Sequence, residues 1–143
     1  DEGIELKGAR RIYEQFGDKV HINITSYNRM VLLTGEAPTE TTKADIEKLI
    51  MGVDNVRKIF NEIAVAGNTS LASRSNDTLI TSKVKTRFLT ERKFQINHVK
   101  IVTENEVVYL LGVVTRQEAD NAAQIASSTS GVKKVVKVFE YLN

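Results

Sequence analysis

The sequence predicts an α+β protein of two tandem, similar domains. Each is a small three-stranded mixed sheet packed against two helices, in the order helix, strand, strand, helix, strand (αββαβ). The first observation behind this is repetition. His21-Ile22-Asn23-Ile24, ahead of Val31-Leu32-Leu33-Thr34-Gly35, recurs without a gap as His98-Val99-Lys100-Ile101 ahead of Val108-Tyr109-Leu110-Leu111-Gly112. The second is that each copy continues through a helical stretch to another glycine followed by valines, Gly52-Val53 with Val56 and Gly131-Val132 with Val135. A unit of about 60–70 residues exceeds the usual solenoid period and is near the lower limit for a domain with its own core. The copies occupy residues 1–66 and 76–143, with 67–75 between them.

In the first copy, Ile4, Leu6, Ile12 and Phe16 describe an amphipathic helix interrupted at Gly8 and stopped near Gly17. Ile22 and Ile24 alternate with His21, Asn23 and Thr25 as a strand; Tyr27-Asn28-Arg29 turns the chain, and Met30 to Thr34 returns as a more deeply buried strand. Pro38-Thr39-Glu40 opens a helix with Ile46, Leu49 and Ile50 on one face, and Gly52 stands where a left-handed residue would end it. Val56, Ile59, Phe60 and Ile63 supply the third strand.

The second copy repeats the order. Asn76 or Asp77 is placed to cap a helix, Thr78 to Leu89, that carries Ile80, Val84 and Phe88 at four-residue spacing. Val99 and Ile101 begin a hairpin, Glu104-Asn105-Glu106 turns it, and Val107 to Leu111 returns. Thr115 and Glu118 form a capping-box pattern. The helix they open is rich in alanine (Ala119, Ala122, Ala123, Ala126), short side chains that allow close approach to a sheet, and it ends at Gly131. Val135, Val136, Val138 and Phe139 form the closing strand. Between the copies, Ala66 to Ser75 is small, polar and without period, the composition of a linker.

With 143 residues, 41% hydrophobic and 27% charged, the composition is that of a globular protein with one moderate core or two small ones. No apolar run approaches the roughly 18–20 residues of a spanning helix, and the opening Asp1-Glu2-Gly3 looks like a mature or trimmed product rather than a secretion signal. The absence of cysteine excludes disulfides, thiolate metal sites and cysteine nucleophiles but leaves the compartment open. Charge divides by copy: residues 1–67 hold 9 Lys or Arg against 11 Asp or Glu, and residues 68–143 hold 11 against 7, so net −2 and +4. Lys83, Lys85, Arg87, Arg92, Lys93, Lys133, Lys134 and Lys137 make the second copy basic. That suits a partner carrying phosphates, nucleic acid or anionic lipid, or equally a solvated basic face.

The residues give little to catalysis. His21 and His98 occupy equivalent positions, a structural habit of the fold, and no set with metal-ligand spacing surrounds either. No nucleophile elbow or phosphate-cradling glycine loop is present, and Gly35, Gly52, Gly112 and Gly131 read as strand ends and helix caps. No enzyme, metal or cofactor is expected. The informative segment is the first helix of the second copy. At 100° per residue Leu79 falls outside the stripe of Ile80, Val84 and Phe88, beside Lys83 and Thr86. A leucine there either dips into an anionic lipid surface or packs against the first domain or the linker.

Asn76-Asp77-Thr78-Leu79-Ile80-Thr81-Ser82-Lys83-Val84-Lys85, Val107 to Thr115 and Ser130-Gly131-Val132-Lys133-Lys134-Val135 resemble the second domain of the dual BON-domain lipoproteins of Gram-negative outer membranes, the DolP type. Val31 to Gly35, Met51-Gly52-Val53 and Asn61-Glu62-Ile63 extend the resemblance to the first copy, so that it covers nearly the whole chain. It implies two BON domains and a non-enzymatic protein on the periplasmic face of the outer membrane that supports envelope integrity. It further implies a tether, a lipidated N-terminal cysteine that is not among these residues. The ligand it implies is anionic phospholipid, phosphatidylglycerol or cardiolipin, bound by the first helix of the second domain. The site carried over is Thr78, Leu79, Ile80, Lys83, Val84 and Arg87, with Ser130, Gly131 and Lys133 adjoining. Leu79 stands where a family member can carry tryptophan, and leucine lacks the indole's affinity for the interface. A monomer is expected. The alternative is an envelope protein partner pairing with an exposed strand edge. Nucleic acid is not expected, because no aromatic residues interleave with the charges and no GXXG clamp appears.

Overall fold

The computed structural model describes residues 2–67, 71–91 and 98–142. The chain forms two compact units, Asp1–Thr69 and Ser70–Asn143. Helix α1 (Glu2–Phe16) and a 3-10 turn (Gly17–Lys19) lead into strands β1 (His21–Tyr27) and β2 (Met30–Ala37), helix α2 (Glu40–Met51) and strands β3 (Lys58–Asn61) and β4 (Ala64–Val65). Helix α3 (Leu71–Glu91), strands β5 (Lys100–Glu104) and β6 (Val107–Thr115), helix α4 (Arg116–Ser127) and strand β7 (Lys134–Leu142) repeat the plan. In each unit the middle strand pairs antiparallel with its hairpin partner and parallel with the strand reached through the helix, giving the orders β1-β2-β3 and β5-β6-β7.

Both hairpins close through two residues at positive φ, Asn28 and Arg29 in one and Asn105 and Glu106 in the other. Two consecutive left-handed residues fit the twist of the strands they join. In the first unit the third strand is broken between Asn61 and Ala64, where Glu62 donates its N–H to the Leu33 carbonyl and Ile63 turns into the core. Its second half, β4, is an addition to the expected three strands. In the second unit β7 runs unbroken beside all nine residues of β6.

Each unit has its own core. Ile4, Ile12, Ile46 and Ile50 from the helices meet Val31, Leu33 and Ile63 in the first; Ile80, Val84, Phe88, Ala119, Ala122, Ile125 and Ala126 meet Val108, Leu110, Val114 and Phe139 in the second. Thr115 and Glu118 complete the expected capping box at α4, and Thr39 caps α2 by accepting from the Thr42 N–H.

Several local expectations are corrected. Helix α1 is not interrupted at Gly8. A side chain at Gly8 would stand 2.8 Å from Ile24 Cδ1 and 3.0 Å from Ile50 Cδ1, so the glycine belongs to the inward stripe with Ile4 and Ile12, while Leu6 faces outward. Gly52 is right-handed, and the left-handed residue after α2 is Asn55. Helix α4 ends at Ser127 with Ser128 as its cap, so Gly131, left-handed at φ 92°, lies beyond the helix that it was expected to end. Gly35 and Gly112 are neither strand ends nor caps. They sit inside β2 and β6 at φ 115° and 152°, where a Cβ would run into the carbonyl oxygens of His21 and His98. The proposed linker 67–75 is helical from Leu71 onward, so neither Asn76 nor Asp77 caps a helix.

Candidate functional site: the outer face of helix α3

Helix α3 is held to its unit along one side. Ile80, Val84 and Phe88 are buried in the core, at 1%, 0% and 1% exposure. Thr81 Oγ1 lies 2.6 Å from Thr103 Oγ1 on β5. The corresponding place in the first unit is taken by Glu5, whose carboxylate accepts from the Ser26 N–H at 2.8 Å. One turn before Thr81, the buried Asp77 carboxylate accepts from the N–H groups of Asn105 and Glu106 at 2.6 and 2.8 Å. It ties the helix to the left-handed turn of the β5–β6 hairpin.

This arrangement divides the residues carried over from the resemblance. Leu79 is 54% exposed, and Thr78 stands beside it on the surface. Ile80 and Val84 are core residues with no surface to offer a ligand, which removes them from the lipid-facing set. At a period of 3.6 they are the inward stripe itself, so only their neighbours can face outward. Lys83 is half-buried, and its Nζ reaches Ser130 Oγ at 3.3 Å. Gly131 packs on α3, with a virtual Cβ 3.3 Å from Ile80 Cγ1. Lys133 is exposed, but its N–H donates to the Glu106 carbonyl, which puts its backbone at the β5–β6 turn. Arg92 and Lys93 lie outside the described residues.

A groove of about 560 Å³ runs between α3 and the turn after α4, lined by Ser82, Lys83, Thr86, Arg87, Ser128, Thr129 and Ser130. Arg87 reaches across from α3 to the end of α4. Nη1 donates to the Ile125 carbonyl at 3.0 Å, Ser128 Oγ at 2.8 Å and Thr129 Oγ1 at 3.3 Å, and Nη2 pairs with Glu91 at 2.7 Å. A guanidinium on the last carbonyls of α4 meets the negative end of that helix. With Glu91 alongside, its charge is largely spent within the unit, and Arg87 acts as a strut rather than a cation held out to a ligand. Arg87→Gln is expected to lower stability by about 1–2 kcal/mol in urea titrations, discounted for a half-exposed site, and to leave ligand binding by α3 within about twofold.

Sequence reasoning missed Leu89, 58% exposed near the other end of α3, and the hydroxyls of Ser82, Thr86, Ser128 and Thr129 that line the groove. Leu89 ended the predicted helix, and its outward direction follows from the same 100° wheel that singled out Leu79. Among the described residues, no group of three or more His, Asp or Glu could hold a metal ion, and no helix is long and apolar enough to cross a membrane.

The sequence matches the BON domain family twice, over residues 8–67 and 76–143. It is 39% identical over 145 residues to the Outer membrane lipoprotein DolP of Haemophilus influenzae, covering 100% of this chain and 75% of that protein. It is 34% identical to the 21 kDa hemolysin of Actinobacillus pleuropneumoniae, over 99% of this chain and 74% of that protein. A third relative, Osmotically-inducible protein Y of Escherichia coli, is 30% identical over 80% of this chain and 58% of its own length. The chain therefore belongs to the BON-domain family, as a tandem BON protein of the DolP lipoprotein type.

Proposed function

We propose that the protein is a non-catalytic lipoprotein of the Gram-negative envelope, held by an N-terminal lipid on the periplasmic face of the outer membrane. There it supports envelope integrity by binding anionic phospholipid, phosphatidylglycerol or cardiolipin, through α3 of its second domain. The outer-membrane lipoprotein among its relatives supports the location. The observation that carries the ligand is Leu79, an apolar side chain 54% exposed on a helix that also bears Lys83 and Lys85, in the unit with the positive net charge.

Binding proceeds in two steps. The lysines are drawn to the anionic surface, each contributing about 1 kcal/mol close to the membrane. Leu79 and Leu89 then enter the boundary between headgroups and acyl chains, each contributing about 2 kcal/mol at full burial. These sums make a reversible contact that selects a membrane region, while the lipid tether supplies the basal attachment.

The test is co-sedimentation of this chain with neutral vesicles and with vesicles containing phosphatidylglycerol or cardiolipin, at low and moderate salt. Binding to the anionic vesicles alone, weakened severalfold by salt, is expected. The Leu79→Asp, Lys83→Glu double variant is expected to lose it, and undiminished binding by a folded double variant rules the face out.

One observation favours the second reading, a protein partner. Strand β1 is an edge, and a groove lined by Glu5, Leu6, Ala9, Ile22, Asn23 and Ile24 runs beside it. An added strand would fit there by β-augmentation. A chain that ignores both kinds of vesicle would direct the search to that edge.

A further inference from the structure

Four hydroxyl side chains stand at four-residue intervals along α3. Each donates to the carbonyl four residues before it: Thr78 to Arg74 at 3.2 Å, Ser82 to Thr78 at 3.2 Å, Thr86 to Ser82 at 2.9 Å and Thr90 to Thr86 at 3.0 Å. All four residues are exposed, on the side of the helix away from Ile80, Val84 and Phe88. Leu79 and Leu89 border the row, and at 100° per residue Lys83 falls on one flank and Lys85 on the other.

In water a hydroxyl folded back on its own helix adds little, because solvent would serve it as well. The difference arises when the face leaves water. A hydroxyl without a partner in an apolar setting is costly, and four of them would cancel what the two leucines supply. Here the donors are already spent on the helix. We infer that the Thr78-Ser82-Thr86-Thr90 row is the seam along which α3 lies in an anionic lipid surface, a face polar in composition that dehydrates as an apolar one. The cations on both flanks fit headgroups on either side of a helix lying flat, which favours a lipid surface over a protein groove. The inference rests on the lipid reading given above.

The test compares the parent chain with Thr86→Val/Thr90→Val and Thr86→Asn/Thr90→Asn double variants on vesicles of phosphatidylglycerol and phosphatidylcholine. Valine keeps the shape and the methyl group without the hydroxyl, and it is expected to bind as tightly as the parent or a few-fold more tightly. Asparagine brings amide donors that the preceding carbonyl cannot fully serve, and about tenfold weaker binding is expected. Weaker binding by the valine variant would mean that the hydroxyls serve headgroups directly and would overturn the seam. Equal binding by all three would overturn it too, leaving the row in water. Because the chain lacks cysteine, a polarity-sensitive probe on Thr86→Cys gives an independent reading. A blue shift with anionic vesicles is expected there and not from a probe on Gln117→Cys, an exposed position of α4. No shift at 86 refutes the inference even where a double variant unfolds. If the parent chain binds and Leu79→Asp abolishes binding while the row variants change nothing, the seam falls alone; if the parent chain does not bind, the lipid reading falls with it.

Discussion

Gly112→Ala is expected to destabilise the second domain by about 3–5 kcal/mol, most of what a domain of this size possesses. Two costs act together. The residue sits at φ 152°, where a side chain is strained, and the added methyl would meet the His98 carbonyl oxygen, which is backbone and cannot swing aside. Relief requires β5 and β6 to part at the point where the hairpin begins. Urea titration followed by far-UV circular dichroism measures the effect, with Val113→Ala, one residue along on the same strand, as the comparison. A loss below about 1 kcal/mol for Gly112→Ala would mean that the strand shifts without cost and that the carbonyl does not require glycine. Gly35→Ala, which meets His21 in the same way, is the matching experiment in the first domain.

Asp77→Ala is expected to cost about 2–4 kcal/mol. It removes two hydrogen bonds to an ionised acceptor and leaves the Asn105 and Glu106 N–H groups to find water within a tight turn. Amide exchange at Asn105 and Glu106 provides the specific readout and should accelerate by at least tenfold. Asp77→Asn, which keeps one acceptor oxygen but places an amide group against a backbone N–H, is expected to fall between the two. Unchanged exchange at both amides in Asp77→Ala would show the turn to be held by its own conformation alone.

The element order, the hairpin turns and the inward stripes of α2 and α3 were legible in the sequence because each is a matter of local period or local chemistry. Ile80, Val84 and Phe88 repeat every four residues, Asn28-Arg29 and Asn105-Glu106 fall between alternating runs, and Thr115 with Glu118 lies within a single helical turn. What was not legible depends on residues distant in sequence. Asp77 has the chemistry of a cap, but its partners stand 28 and 29 residues later, so its side chain is a clamp and α3 starts earlier. Residues 71–75, Leu-Ala-Ser-Arg-Ser, are too few to show a helical period, and a helix there follows from continuity with the packed turns beyond, which composition does not reveal. Gly8 looked like a helix breaker because the isoleucines that fill the space of its missing side chain come from β1 and α2. For the site, the wheel identified Leu79, but the resemblance carried over Ile80 and Val84 as well as the residues around them. The internal use of Arg87 could not be foreseen, since its acceptors lie at the far end of α4.

The glycines opposite the His21 and His98 carbonyls also act as register pins. A one-residue slip would bring Thr34 or Glu36, or Leu111 or Val113, against the carbonyl, so each hairpin has one permitted alignment. Because the pins are alike, they fix alignment without fixing partner, and β1 would meet the glycine of β6 as readily as that of β2. Two-residue turns settle this for the hairpins, which close on themselves before a distant strand arrives. The third strands have no such pin: each is joined to its hairpin through a helix, and its alignment rests on where α2 or α4 delivers it. Across the break in the first sheet that alignment is kept, since Asn61 stands beside Leu33 and Ala64 beside Glu36 at one constant offset, so the gap frees Ile63 for the core without shifting the strand.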